Sequence, residues 1–272
     1  MIEPIPAYAR VIGGMLALVA VLTVGFCLVL GTASAAVTIA SVHHTATYTV
    51  GAGPHVRVDV QYGDLIVEAG RDGRLVVDDQ RNAGSITRAA AGATANQTRV
   101  AVNGQANEVD IREASPIFQL VSLSRSAQLT LQVPAHTDLD VTSLGNVKVS
   151  GIDGNVRIEG SDVRLVDMTV SGNASLKSTG GTLAFSGSLN AGGTNLRIDG
   201  GRFSNVAIKL PHPTDARATV TTRTGSLNPD PIWHFSSVQS SPSRSWTADL
   251  GPNPTGTVNV TTDEGSVDFG LR

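Results

Sequence analysis

A short frame of residues recurs four times along this chain of 272 residues. Each copy has a proline, a run of alternating apolar residues, a glycine followed by a small polar residue, and a second apolar run. The first copy runs from Pro54 to Leu65, and the others lie at residues 134–147, 211–227 and 254–267. Apolar alternation with a period of two predicts half-buried strands, and glycine with a polar neighbour predicts the turns between them. Repeated strand–turn–strand units predict a stacked or rolled β architecture.

Strands become very short between residues 129 and 210, where pairs of glycine and a polar residue separate them. The Gly-Asn pairs that begin at Gly145, Gly154 and Gly172 are 9 and then 18 residues apart. A period of about 9–10 that doubles to about 20 fits solenoid coils with two or more short strands each better than a sandwich. One such strand buries too little apolar surface to be stable alone, so several coils must stack. The sequence therefore predicts an all-β fold, a β-solenoid or β-roll of short stacked strands with Gly-Asn or Gly-Ser turns.

An uncharged segment at residues 11–30 lies near the N-terminus. As a helix, it would span about 30 Å, the thickness of the hydrocarbon core of a bilayer. This length favours a retained transmembrane helix, or signal anchor, over a signal peptide cleaved after Ala35, which would leave the protein secreted. Arg10 precedes the segment, so the positive-inside rule places the N-terminus in the cytoplasm and residues 31–272 in the extracellular or periplasmic space.

The predicted domain organisation follows from these patterns. From the N-terminus it has a cytoplasmic stub at 1–10, the transmembrane helix at 11–30, a spacer or cap at 31–54, and an exported β-repeat domain at 55–272. Within that domain, residues at about 82–126 depart from the strand pattern and are predicted to be an irregular insertion. Residues 228–256 are predicted to be a loop rich in proline and tryptophan.

Composition restricts the partners and the compartment. The net charge is −3 and the pI is about 6.0, so the chain lacks the basic surface that nucleic acid binding requires. Cys27 is the single cysteine and lies within the apolar segment, so no intramolecular disulfide can form. An exported domain without disulfides must be stabilised by strand pairing and core burial, which favours a bacterial envelope protein over a small secreted animal module.

Four motifs in the repeat domain resemble a known family. They are LQVP at 131–134, VTSLGNV at 141–147, VTTRTGSL at 220–227 and VTTDEGSV at 260–267. Together they resemble the bacterial domain-of-unknown-function family labelled "putative adhesin", over about residues 56–269. The resemblance implies a right-handed β-solenoid or β-roll and a location in the cell envelope. It supplies no catalytic residues, and it implies no cofactor.

Residues with catalytic potential form no recognisable motif. None of the six histidines has the spacing of a metal site, and no nucleophile elbow, phosphate loop or Cys/His cluster is present. Because β-solenoids also carry polysaccharide-cleaving enzymes, paired carboxylates are the remaining candidates. Those in the repeat region are Asp138, Asp140, Asp153, Glu159, Asp162, Asp167 and Asp199. Stacking could bring Asp153 near Asp162 or Asp167, but no spacing prefers one pair. We therefore predict that the chain is not an enzyme and has no metal or cofactor.

Basic residues at outward positions of the short strands are the candidate surface-binding residues. Each follows an inward apolar residue; they are Lys148, Arg157, Arg164, Lys177, Arg197 and Lys209. Aligned as a ladder, they could bind anionic lipid headgroups or wall polymers. Residues 136–210 hold as many acidic as basic side chains, so we expect local ion pairs, Arg157 with Glu159 and Arg197 with Asp199.

Both tryptophans of the chain, Trp233 and Trp246, lie in the loop at residues 228–256. Large aromatic side chains mostly serve burial, so we expect them to form a lid over one open end of the β core. The other interpretation is an exposed aromatic site that contacts a sugar ring.

The most economical interpretation is a non-catalytic cell-envelope module for surface interaction, adhesion or envelope structure. It would contact the membrane through residues 11–30, and its partner would be a cell-wall polymer, an anionic lipid or another envelope protein. Two alternatives stay open, the ectodomain of an envelope-stress or signalling regulator and a carbohydrate-active enzyme. The short stub at residues 1–10 means that any signalling would act through partners.

Overall fold

The computed structural model describes residues 38–61, 63–85, 87–97, 99–105, 107–114, 124–190, 192–240 and 242–272. This part of the chain contains twenty strands and one helix of ten residues, which confirms the predicted all-β class. No helix within these ranges is long and apolar enough to cross a membrane. The predicted transmembrane helix at 11–30, the stub at 1–10 and the cleavage site after Ala35 lie outside the described residues.

Short strands follow one another along the chain, with the helix after the fourth of them. The strands before the helix are β1 (Thr38–Thr49), β2 (His55–Val60), β3 (Asp64–Ala69) and β4 (Arg74–Ser85). The helix α1 (Arg88–Gln97) is followed by β5 (Arg99–Gln105), β6 (Glu108–Ala114), β7 (Ser124–Val133), β8 (Asp138–Ser143), β9 (Val147–Ser150), β10 (Asp153–Gly160) and β11 (Val163–Ser178). The remaining strands are β12 (Leu183–Leu189), β13 (Asn195–Asp199), β14 (Val206–Leu210), β15 (Ala216–Thr222), β16 (Ser226–Pro229), β17 (Ser236–Ser240), β18 (Ser243–Asp249), β19 (Gly256–Thr262) and β20 (Ser266–Leu271).

Most strands belong to one of two ladders. The first ladder has the order β5, β6, β2, β8, β10, the C-terminal half of β11, β13, β19, β15, β18 and β17. The second ladder has the order β1, β4, β7, β3, β9, the N-terminal half of β11, β12, β14, β20 and β16. Because β11 contributes one half to each, the ladders belong to one continuous sheet.

Pairing is parallel in the middle of both ladders and antiparallel at both ends of the first ladder and at one end of the second. All pairs from β6 to β15 in the first ladder are parallel, as are all pairs from β7 to β16 in the second. Antiparallel pairs β5–β6, β1–β4 and β4–β7 border one end, and β15–β18 and β17–β18 border the other. Residues 38–49, which we predicted to be part of a spacer or cap, form the edge strand β1.

One hydrophobic core lies between the ladders. Alternate residues of each strand are buried, and the parallel register places them in columns. One column of the first ladder consists of Val58, Val141, Ile158, Leu176, Ile198, Val260 and Val220. Burying each such side chain stabilises the fold by roughly 1.5–3 kcal/mol before entropy is counted. Val60, Val141, Val220 and Val260, which precede the turn glycines in the four copies of the repeated frame, are buried in this core.

The order of strands in space differs from their order in the sequence at both ends of the molecule. β2 lies between β6 and β8, and β3 lies between β7 and β9. Likewise β19 lies between β13 and β15, and β20 lies between β14 and β16. The final pair of strands is therefore inserted between two pairs that precede it in the chain.

The segment predicted to be an irregular insertion, about 82–126, contains regular elements within its described residues. It includes the end of β4, the helix α1, the strands β5 and β6, and the beginning of β7. Ala91 and Ala95 are the buried apolar residues of α1, and the helix contacts β1 and β4. Helix α1 therefore covers part of the antiparallel end of the second ladder.

Candidate functional site

A groove of about 720 Å³ lies on the outer face of the second ladder. It crosses β3, β9, the N-terminal half of β11, β12 and β14. Three of its lining residues, Lys148, Arg164 and Lys209, are among the six predicted surface-binding residues. We call this feature the cationic groove, defined by those three residues together with Ile66, Val166, Ala184 and Ala207.

Strand alternation points the three cations outward. Lys148 lies between buried Val147 and Val149, and Arg164 lies between buried Val163 and Leu165. Lys209 similarly lies between buried Ile208 and Leu210. Since neighbouring residues in a strand point to opposite faces, burial of the apolar neighbours fixes each cationic side chain on the solvent side.

The register sets the spacing of the cations. Lys148 and Arg164 are direct partners on neighbouring strands, so their Cα atoms are about 5 Å apart. Lys209 is the partner of Ser186 and lies two strands beyond Arg164 and two residues further along. That offset places it about 12 Å from Arg164. The Cα atoms of the three cationic residues thus spread over about 12 Å of the sheet surface.

The floor beside these cations is mostly apolar, with Ser186 next to Lys209. Ile66, Val166, Ala184 and Ala207 point outward and are half-buried. The matching central row of the first ladder is polar or charged throughout: Asp110, Arg57, Asp140, Arg157, Ser175, Arg197, Asn259 and Thr219. Apolar outward residues therefore distinguish one face of the molecule from the other.

The cations of the groove stand apart from the ion pairs that the described residues form. Within the described ranges, Lys148, Arg164 and Lys209 form no salt bridge, whereas other basic residues of the repeat region do. Two carboxylates line one margin of the groove, and both are already hydrogen-bonded. Asn146 Nδ2 donates to Asp64 Oδ1 at 2.9 Å, and the Thr182 amide and hydroxyl donate to Asp162 Oδ1 at 2.5 and 2.7 Å.

Asp162 is held in its ionised form by these bonds. The hydrogen bond from the Thr182 amide, followed by that from the Thr182 hydroxyl, lowers the pKa of the Asp162 carboxyl below its ordinary value. A general acid in glycoside hydrolysis needs the opposite shift, a raised pKa. The Asp162 side chain instead links the corner before β11 to the corner before β12 through its hydrogen bonds with Thr182.

The other three predicted surface residues, Arg157, Lys177 and Arg197, lie on the first ladder rather than in line with the groove. Lys177 donates to Glu159 at 2.7 Å, and this hydrogen bond and the negative charge of Glu159 raise the pKa of Lys177. The ion pairs that we expected, Arg157 with Glu159 and Arg197 with Asp199, are not formed. Lys177 occupies the strand next to Glu159 in direct register, so it pairs with Glu159 in place of Arg157.

The tryptophans lie at the end of the core rather than on an exposed platform. Trp233 is only 4% exposed, and its ring meets those of Phe269 and His212 edge-on at 6.0 and 5.1 Å. Trp246 lies in β18 opposite Val220 and is partly buried against the core. A buried ring cannot stack on a sugar, and Trp233 instead packs against Phe269.

The carboxylates considered for catalysis are bound to different partners. Asp153 lies 3.2 Å from His136 Nδ1, and Asp167 accepts a hydrogen bond from Arg272 at 2.6 Å. Asp162 is engaged by Thr182. The part of the chain that the structure describes contains no cluster of three or more potential metal ligands among its His, Cys, Asp and Glu residues.

Sequence reasoning missed two features of this surface. One is the apolar floor, although Ile66, Ala184 and Ala207 each occupy an outward position in an alternating strand. The other is a row of side-chain hydrogen bonds along one corner of the first ladder. It runs through Asp138, Asn155, Asn173, Asn195 and Thr257. The Gly-Asn pairs gave the signal for this row, because stacked turns bring successive asparagines into contact.

Comparisons with known proteins found similar solved structures. No family model matches the sequence, and no curated protein matches it. A "putative cell adhesion protein" from Clostridium sporogenes ATCC 15579 is 11% identical, with a TM-score of 0.43, over 85% of this chain and 100% of that one. A "putative adhesin" from Bacteroides fragilis NCTC 9343 is 10% identical, with the same TM-score, over 85% and 97%.

A third solved structure, from Parabacteroides distasonis ATCC 8503, is described as a "putative lipid binding protein". It is 10% identical, with a TM-score of 0.33, over 85% of this chain and 97% of that one. Proteins described as adhesins are thus among the solved structures similar to this chain.

Proposed function

We propose that the two ladders form a β-solenoid. Successive passes of the chain through the second ladder are in register at Val147, Val163, Leu183 and Val206, at intervals of 16, 20 and 23 residues. Each pass also contributes a strand to the first ladder, so the middle of the chain winds as coils. Such an interior is filled by Val, Leu and Ile, and only the outer faces are left for recognition.

We propose that this solenoid is a non-catalytic module that binds an anionic component of the cell envelope. The observation that carries the proposal is the cationic groove, where Lys148, Arg164 and Lys209 form no salt bridge with any described residue and border a mostly apolar floor. Exposed cations without partners reduce the stability of the fold little, because water solvates them. They form charge-assisted hydrogen bonds when an anionic ligand binds. In the described part of the first ladder, the outward rows are polar and place the carboxylates of Asp110 and Asp140 beside Arg57 and Arg157, so that face lacks the apolar floor of the groove.

An envelope location is part of the same proposal. The uncharged segment at 11–30 and Arg10 support a signal anchor with the module on the outer side of the membrane. Alkaline phosphatase fused after Arg272 tests this topology, because the enzyme folds only when it is exported. An inactive phosphatase fusion together with a fluorescent cytoplasmic reporter fusion would overturn it.

Binding by the full chain tests the function. The chain is reconstituted in nanodiscs of zwitterionic phosphatidylcholine, and anionic phosphatidylglycerol vesicles and poly(glycerol phosphate) are offered as two separate probes. We expect at least one probe to bind at 50 mM salt and to dissociate at 500 mM, because charge pairing at an exposed surface is screened by salt. If neither probe binds at low salt, or if binding is unaffected by salt, the proposed function is wrong.

A further inference from the structure

The cationic groove also indicates the shape of its ligand. We infer that it binds a linear polyol phosphate, a chain of small alcohol units joined by phosphodiesters, laid across the strands β9, β11, β12 and β14. This inference rests on the proposed function and names the chemical class of the ligand. Its support comes from the depth of the groove, the spread of its charges and the size of its floor residues.

The depth of the groove argues for a single chain over a membrane surface. Val166, Ala184 and Ala207 are half-buried at the floor, while Lys148, Arg164 and Lys209 beside them are exposed. A flat bilayer would meet the long cationic side chains first and could not reach the floor. One extended polymer strand can lie along the floor and contact the cations from within.

The spread of charge argues for several anionic groups on one ligand. The Cα atoms of Lys148 and Arg164 are about 5 Å apart, and the Cα atom of Lys209 is about 12 Å from that of Arg164. One phosphate can engage Lys148 and Arg164 together, with the planar guanidinium of Arg164 donating two parallel hydrogen bonds. A second phosphate of the same chain can engage Lys209, which lies two strands away. The uncharged carbons between the two phosphates would then lie over Ala184 and Ala207.

The floor and the margin of the groove restrict the units between the phosphates. Phe185 is the aromatic residue of the lining and points inward, with 1% of its surface exposed, so no ring is available for stacking on a sugar. The small side chains of alanine and valine can pack against a short aliphatic carbon chain. Asp64 and Asp162 line the margin beside the corner and repel phosphate there, which directs the anionic groups toward the row of cations.

Two triple variants with the same change in charge test the site. K148Q/R164Q/K209Q removes the cations of the groove, and R57Q/R157Q/R197Q removes three exposed cations of the first ladder that form no salt bridge among the described residues. Biolayer interferometry measures poly(glycerol phosphate) binding to the full chain in phosphatidylcholine nanodiscs. We expect the first variant to weaken binding on the order of 100-fold and the second by less than about threefold. Equal loss in both variants would overturn the inference.

A variant of the floor separates a polymer from a membrane. Ala184→Trp places a large ring in the groove at an outward position, where the core is not disturbed. We expect it to weaken poly(glycerol phosphate) binding by about tenfold or more, and to leave binding of phosphatidylglycerol vesicles unchanged or stronger, since tryptophan favours the bilayer interface. Unchanged polymer binding would overturn the inference.

The two probes distinguish the two proposals. If phosphatidylglycerol vesicles bind through Lys148, Arg164 and Lys209 while the polymer does not, the polyol phosphate inference is wrong and the proposed function stands. If hyaluronan, a polymer charged by carboxylates, binds as tightly as poly(glycerol phosphate), the phosphate assignment is wrong. If no anionic probe binds, both proposals fail.

Discussion

Glycine residues at the corners show that close backbone approach, more than dihedral freedom, determines several positions of the repeated frame. Gly63 has a φ of 97°, which favours glycine. Gly145, Gly225 and Gly265 lie outside the region of positive φ, yet a Cβ on any of them would overlap a backbone oxygen of the neighbouring corner. The oxygen facing Gly145 belongs to Gly63, and the one facing Gly225 belongs to Gly265. The frame thus retains glycine because its corners stack on one another.

Gly145→Ala should therefore be strongly destabilising. The added methyl group would overlap the carbonyl oxygen of Gly63, so β8 and β9 would have to move away from β2 and β3. We expect the free energy of unfolding, measured in urea, to fall by about 3 kcal/mol. Gly180→Ala is the matched control, because Gly180 also lies in a corner but has open space around its Cβ position. A change within about 1 kcal/mol is expected there; similar losses in the two variants would refute the role of stacking.

At the scale of elements, the row of asparagines links successive strands at one corner of the first ladder. Asn155 is central to it. Its side-chain amide donates to Asp138 Oδ1 at 3.1 Å, and its Oδ1 accepts from the backbone amide of Asn173 at 2.9 Å. Asn195 Nδ2 continues the row by donating to Asn173 Oδ1 at 3.1 Å. Each turn is thus hydrogen-bonded to the next by side chains as well as by the backbone.

Asn155→Ala should loosen the corner on both sides at once. The Asn173 amide loses its acceptor, so its hydrogen exchange should accelerate, and the free energy of unfolding should fall by about 1–2 kcal/mol. Asn259→Ala provides the comparison, since Asn259 is exposed on the same ladder and its side chain makes only a long bond of 3.4 Å to Thr257. We expect less than about 0.5 kcal/mol for that variant. Unaltered exchange at Asn173 in Asn155→Ala would show that the row contributes nothing.

The local sequence pattern predicted where strands lie in the chain better than it predicted which strands are adjacent in the sheet. Period-two alternation located strands such as those around Val58, Val141 and Val260 because inward and outward positions are fixed within each strand. It could not show that Val260 lies between Ile198 and Val220, since strands with the same apolar spacing fit either neighbour equally well. The split of the six basic residues between two faces was hidden for the same reason, because it depends on which ladder each strand joins.

On the scale of the whole molecule, the insertion of β19 and β20 makes the end of the fold cooperative. These strands form the last pair in sequence, yet in space they separate β13 and β14 from β15 and β16. Phe269 of β20 also contacts the buried ring of Trp233. In a stack that followed sequence order, removing the last pair would expose one neighbour. Here the removal exposes β13 and β14 on one side, β15 and β16 on the other, and the side of Trp233 that packs against Phe269.

Deleting residues 254–272 should therefore unfold residues 211–253 as well. We expect limited proteolysis to cut within 211–253 and the fluorescence of Trp233 to shift to the red, because that ring loses its packing against Phe269.

The control replaces residues 236–247, which include β17 and most of β18, by Asn-Gly. The ends to be joined are close because Ser236 pairs with Thr247. That edge hairpin borders β15 on one side, so its loss should leave β15, β16 and β19 protected from protease. Protection of 211–253 after the C-terminal deletion would mean that the end of the fold is assembled strand pair by strand pair, and that its stability does not depend on the inserted strands.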